Sequence, residues 1–119
     1  MPARTVGRIQ TRAAFAHVQR SRARASSGPV RATFAAVDSG VPGMYPQVGY
    51  AIGKHCGNAV VRNTLRRRMR ESARAISSTL PRGAYLLRVD PSAADSTFGE
   101  LSTHVQAALL RASRPAVAP

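Results

Sequence analysis

From Asn58 onward, Val61, Leu65, Met69 and Ile76 fall on one side of a wheel turned at about 100° per residue. That is the stripe of an amphipathic helix. Arg62, Arg66, Arg70 and Arg74 recur at i, i+4 and so line one side, with Asn63 and Arg67 beside them. Arg68 flanks the stripe, where its stem can run along the core. The pattern predicts a helix ending near Ser77, with Pro81-Arg82-Gly83 preventing continuation. The run Gln47 to Ile52 reads as the preceding strand, joined to the helix by a Gly53-Lys54-His55-Cys56-Gly57 turn, and Ala84 to Val89 as the following one. Thr97-x-x-Glu100 is a capping-box pattern ahead of a second stripe, Leu101, Val105, Ala108, Leu109 and Ala112, which Pro115 ends.

Toward the N-terminus the signals are weaker. Thr11 can cap a helix through Gln19, with Phe15 and Val18 three apart on one face. Arg20 to Pro29 reads as a basic loop rich in Ser, Gly and Pro, and Val30 to Val37 as a strand. Asp38 to Pro46 has turn chemistry and predicts a hairpin connection to the strand at Gln47. Met1 to Gln10 reads as a flexible basic arm, and the residues after Pro115 as a short tail. The order α-β-β-α-β-α predicts an α+β sandwich, helices against a small sheet.

A length of 119 residues suits one domain over 1–119, its ordered core about 8–113. Charge changes the picture: 18 Lys+Arg against 5 Asp+Glu give a formal +13, which attracts nucleic acid or an anionic surface. Every basic residue but Lys54 is arginine, whose planar fork suits phosphate, although high-GC coding produces the same Arg/Ala bias. The lone Cys56 excludes an intrachain disulfide framework and fits a reducing compartment. No run approaches membrane-spanning length, so no membrane partner is expected. The Arg-rich start, free of acids until Asp38, has the look of an organellar transit segment. Phe15 and Val18 argue for reading it as mature protein, and the expected location is the cytoplasm.

Like charges at i, i+4 repel and weaken a helix, and only Glu71 relieves them here. Lys54, Arg62, Arg66, Arg67, Arg68, Arg70 and Arg74 make up 7 of the 18 basic residues. A solvated face mixes signs, so this one points to a polyanion. The glycine-flanked turn precedes a helix N-terminus, a place for phosphate, but it does not match a Walker loop. His55 and Cys56 lack companions at metal-ligand spacing, and no metal site is expected. The five carboxylates are scattered. A protein phosphodiesterase uses carboxylates to hold Mg²⁺, so catalytic groups for any nuclease chemistry come from elsewhere. Phe15 is balanced between a core role and stacking on RNA.

The run Gly53-Lys54-x-x-Gly57-Asn58-Ala59-Val60-Val61-Arg62-Asn63, continuing Arg66-Arg67-Arg68-Met69-Arg70-Glu71, resembles the signature of the bacterial ribonuclease P protein subunit. The flanking elements agree, so the resemblance runs from about Arg8 to Arg111. It implies an α-β sandwich similar to domain 2 of ribosomal protein S5, with a left-handed βαβ crossover around the arginine helix, which general rules disfavour. It implies a protein that assists a catalytic RNA in removing the 5′ leader from precursor tRNA. The RNA would carry the hydrolysis with Mg²⁺ at its own active centre, with one protein per RNA. Carried over by position, Lys54, Arg62, Asn63, Arg66, Arg67 and Arg70 match the RNA-contacting turn and helix, which Arg74 extends. Phe15, with Val18, falls on the side of a cleft that would hold the leader. Three departures stand out: Thr64 follows Arg62-Asn63 where the family has a third cation, Gly53 and His55 replace a serine and a basic residue, and Gln19 stands where relatives often carry a second aromatic.

The alternative reading is a general RNA-binding protein, ribosome- or nucleoid-associated, which shares the charge but needs no leader cleft. A protein-only nuclease is a third, and predicts cleavage without added RNA.

Overall fold

The computed structural model describes residues 6–9, 12–36 and 45–114. The elements are α1 (Arg12–Gln19), β1 (Ala23–Ser27), β2 (Val30–Ala36), β3 (Gln47–Ala51), α2 (Ala59–Ala75), β4 (Gly83–Val89) and α3 (Phe98–Ala112). Short 3-10 turns at Lys54–Cys56 and Pro91–Asp95 precede α2 and α3. The four strands form one sheet in the order β1-β2-β4-β3, antiparallel except for the parallel β3–β4 pair, which is joined through α2.

Two expectations are corrected. The basic loop Arg20 to Pro29 contains a strand: β1 pairs with β2 from Ala23↔Phe34 to Ser27↔Val30 through the two-residue turn Gly28-Pro29. Gly28 takes the positive φ of 54° that such a turn requires at its first central residue. Ala, Arg and Ser are poor advertisements for a strand, and this one is held from outside. Arg111 Nη1 on α3 donates to the Ser26 carbonyl at 3.0 Å, and Ser27 shares a 2.8 Å hydrogen bond with His104 Nδ1. Second, β2 and β3 form no hairpin, because β4 lies between them. Of the residues expected to make that turn, 38–44 lie outside the described residues, as does Thr11.

The apolar periodicities make two cores, one on each sheet face. Tyr85, Leu87 and Val89 of β4 join Leu65 and Met69 of α2 and Leu101, Val105 and Leu109 of α3. Phe34 and Tyr85 meet within that layer, ring centroids 4.7 Å apart. Ala84 and Leu86, pointing the other way, meet Val18, with Phe15 and Ile9 half-buried beside them. A strand buried on both faces is continuously apolar, as Ala84 to Val89 nearly is. Thr97 and Glu100 form the expected capping box at the start of α3.

Of the arm, residues 6–9 are described; its other residues, and the tail from Pro115, lie outside the described residues. Gly7 N–H donates to the Pro46 carbonyl at 2.8 Å and its carbonyl accepts from Val48 N–H at 3.0 Å, so residues 6–9 run beside β3 and cover its open edge.

Candidate nucleic-acid interface

Asn58 caps α2, its side chain accepting from Val61 N–H at 3.0 Å. Before it, Gly57 holds φ 140°, and a Cβ there would come within 2.9 Å of the Val61 side chain. Only glycine enters the helix at this angle. Once launched, α2 buries Leu65, Met69, Ser72 and Ala73, which leaves Asn63, Arg67, Arg70 and Arg74 exposed and Arg62 and Arg66 half-buried. Arg66 Nη1 donates to Asn63 Oδ1 at 3.0 Å, fixing its fork at the surface. Arg62 Nε is buried with no hydrogen-bond partner among the described residues. Lys54 is exposed in the turn ahead of the helix, whereas Cys56 is buried, Sγ 3.7 Å from the Val89 carbonyl.

Arg66 and Arg70 open onto a groove of about 580 Å³ between α2, β3 and the residue 6–9 segment. Its other walls include Arg8, Phe15, Gly49 and Tyr50. Gly49 is needed for close approach: a Cβ there would stand 3.0 Å from Ile9 Cδ1 and 3.5 Å from Phe15 Cε2. The Tyr50 hydroxyl is buried without a partner among the described residues. Burial pushes its pKa up to about 12, and the nearby Arg70 charge acts against that rise. At neutral pH the hydroxyl keeps its proton, set in the groove wall behind Arg70.

The fold thus brings Phe15 together with Arg66 and Arg70, while Lys54, Arg62, Asn63, Arg67 and Arg74 stay outside this groove. Val18 is a correction: fully buried against the sheet, it has no surface to offer a ligand. Periodicity paired it with Phe15, but Val18 lies on the inward side of α1 and Phe15 only half so. Sequence reasoning missed Arg8 and Tyr50, whose places depend on strand pairing. It also passed over Val60, 73% exposed among the polar residues of α2.

The departures have local consequences. Thr64 Oγ1 donates to the Val60 carbonyl at 3.0 Å, turned back onto its own helix. The His55 ring lies over Gly53, where a Cβ would be 2.4 Å from it, so these two departures accommodate each other. Among the described residues no three of His, Cys, Asp and Glu come together, and no helix is long and apolar enough to cross a membrane.

The family model described as Ribonuclease P matches residues 4–113. The chain belongs to that family. It is 35% identical to the ribonuclease P protein component of Symbiobacterium thermophilum over 88% of this chain and 90% of that protein. With the component from Pseudarthrobacter chlorophenolicus it shares 34% over 88% of this chain and 76% of the relative. Against the Nocardioides sp. component the match is 41%, over 55% of this chain and 56% of that protein; against that of Thermobifida fusca, the chain spans 48% of the relative's length. The fold is that of the RNase P protein from Staphylococcus aureus, TM-score 0.72 at 17% identity over 100% of this chain and 99% of that one. The Thermotoga maritima RNase P protein superposes with TM-score 0.72 at 20% identity over 87% of this chain and 96% of that one.

Proposed function

We propose that this chain is the protein subunit of a ribonuclease P holoenzyme, an endoribonuclease that removes the 5′ leader from precursor tRNA. Its partners are the ribonuclease P RNA, bound by one protein per RNA, and precursor tRNA, met in the cytoplasm. Catalysis belongs to the RNA, with Mg²⁺ at the RNA's own active centre. The carboxylates among the described residues, Glu71, Asp90, Asp95 and Glu100, are in keeping with that division, since none of them lines the groove.

One observation carries the reading: Phe15, half-buried on α1, shares a groove with the cations of α2. Lys54, Asn63, Arg67 and Arg74 are exposed and face outward to the folded RNA, with half-buried Arg62 beside them. Arg66 and Arg70 turn toward the groove, where an unpaired strand can lie with a base against Phe15 and phosphates near Arg70 and Arg8. Stacking of that kind contributes about 1–3 kcal/mol per base.

The deciding experiment is precursor tRNA cleavage at low Mg²⁺ by a cognate ribonuclease P RNA, with and without the protein, and with the protein alone. Correct 5′ cleavage only when both are present establishes the role. Tight RNA binding without rescue by the cognate RNA would leave a general RNA-binding protein, and cleavage by the protein alone a protein nuclease.

A further inference from the structure

The loop that follows α1 carries Arg20, Arg22 and Arg24 at alternate positions, and only Arg24 is engaged within the fold among the described residues. Its Nε and Nη2 donate to the Ser21 and Gln19 carbonyls, each at 3.0 Å, closing the end of α1. Arg20 and Arg22 stay exposed.

Arg20 borders an open pocket of about 540 Å³ at the β1 edge of the sheet. β1 starts only at Ala23, opposite Phe34, whereas β2 runs on to Ala36, so a notch is left beside Ala35 and Ala36. The ends of α1 and α3 flank this notch from the two faces of the sheet, with His17 and Arg20 on one rim and Ser113 and Arg114 on the other. Between the rims the alanine side chains stop at Cβ and leave the space open. Phe34 also reaches the pocket, its ring packed on Tyr85.

Cations at helix C-termini ordinarily answer the last carbonyls. Here other groups do so. Arg24 meets the Gln19 carbonyl, and Ser113 Oγ donates to the Leu110 carbonyl at 3.2 Å. Ser21 Oγ is likewise occupied, by the Phe34 carbonyl. That leaves His17, Arg20 and Arg114 with no ion pair and no side-chain hydrogen bond among the described residues. Glu71, Asp90, Asp95 and Glu100 all lie outside the pocket lining. Cations gathered without a counter-charge repel one another, and, as on α2, the arrangement fits a polyanion.

This surface is separate from the sites described above. His17 follows Phe15 by two residues, about 200° around α1, so it lies on the flank turned away from the Phe15 groove. α2 and that groove stand beside β3, and β1 is the opposite edge, three strand spacings or about 14 Å across the sheet.

We propose that Arg20 and Arg114, with the His17 imidazole beside them, hold backbone phosphates of a second RNA segment, so that the protein bridges two parts of the ribonucleoprotein instead of covering one. This rests on the RNA-partner reading above. The segment belongs to the ribonuclease P RNA or to the body of the tRNA; the ligand chemistry is the same, and the experiment tells the two apart.

The test compares the unaltered protein with the double variant Arg20→Ala/Arg114→Ala across a salt series. It reads protein affinity for the cognate ribonuclease P RNA, and holoenzyme affinity for precursor and mature tRNA. One of these affinities should fall on the order of tenfold. Its salt slope should become shallower by about 0.7–0.9 per lost phosphate contact. A loss of affinity for the ribonuclease P RNA assigns the segment to that RNA. An equal loss for precursor and mature tRNA, with that affinity intact, assigns it to the tRNA body. Hydroxyl-radical footprints of the double variant should expose backbone at nucleotides other than those exposed by Arg66→Ala. Thermal melts confirm that each variant is folded. Unchanged affinities and slopes, a footprint that coincides with that of Arg66→Ala, or a loss confined to precursor over mature tRNA overturns the proposal and leaves the subunit role standing. If the unaltered protein binds the cognate RNA no more tightly than an unrelated RNA of equal length, both readings fall.

Discussion

Arg66 is held by Asn63: one turn apart on α2, they share a hydrogen bond of 3.0 Å. An arginine with a fixed fork loses less freedom when it meets phosphate than one that is free to rotate. Arg66→Ala should weaken the holoenzyme by about 1–3 kcal/mol, most visibly at low Mg²⁺. Asn63→Ala should lose less, and the double variant less than the sum. Cleavage across a Mg²⁺ titration measures all three; additive losses would mean that Asn63 acts independently of Arg66.

Phe15 and Val18 separate experimentally. Phe15→Ala should lower affinity for precursor tRNA relative to mature tRNA. Val18→Ala should cost about 2 kcal/mol of stability and leave that ratio alone, because Val18 is fully buried. Urea unfolding together with the binding ratio distinguishes them. An equal fall in affinity for both tRNAs on Phe15→Ala, with a weakened fold, would return Phe15 to the core.

Tyr50 has a pH signature. Its folded pKa of about 12 lies above the ordinary value of 10.0, so the stabilising difference is complete below pH 10 and is lost as pH rises toward 12. Tyr85, whose hydroxyl donates to the Pro81 carbonyl at 2.7 Å, is also raised, mainly by burial, and adds in the same direction. Thermal melts from pH 9 to pH 12 should fall less steeply in Tyr50→Phe, by about 2 kcal/mol over the window. Identical slopes would show that Tyr50 is solvated.

At the far side of the molecule, Thr97→Ala removes the hydroxyl that accepts from Glu100 N–H at 3.1 Å. Stability should drop by about 1 kcal/mol with cleavage unchanged at saturating protein. A urea titration measures the first and a single-turnover assay the second. Loss of cleavage without loss of stability would place α3 at an RNA contact.

Much of this protein is readable along the chain because the signals are local. The α2 stripe, its Asn58 cap, the Thr97–Glu100 box and the apolar β4 run depend on neighbours within a turn or on alternation within a strand, and the structure repeats them to within a residue or two. Arginines at i, i+4 must share a face wherever the helix goes, so a basic surface was determined before any fold was known. What tertiary structure decided is what distant segments do to one another. β1 exists because β2 and α3 hold it, β4 enters between β2 and β3, and residues 6–9 close the edge beside Tyr50. Those pairings turn Val18 inward and gather Arg8, Phe15, Tyr50 and Arg70 around one groove. They also set Arg31 against Arg88, residues 57 positions apart in sequence and adjacent in the sheet. Register between strands is a non-local choice, made by burying two apolar faces at once, and a single segment carries no record of its partner.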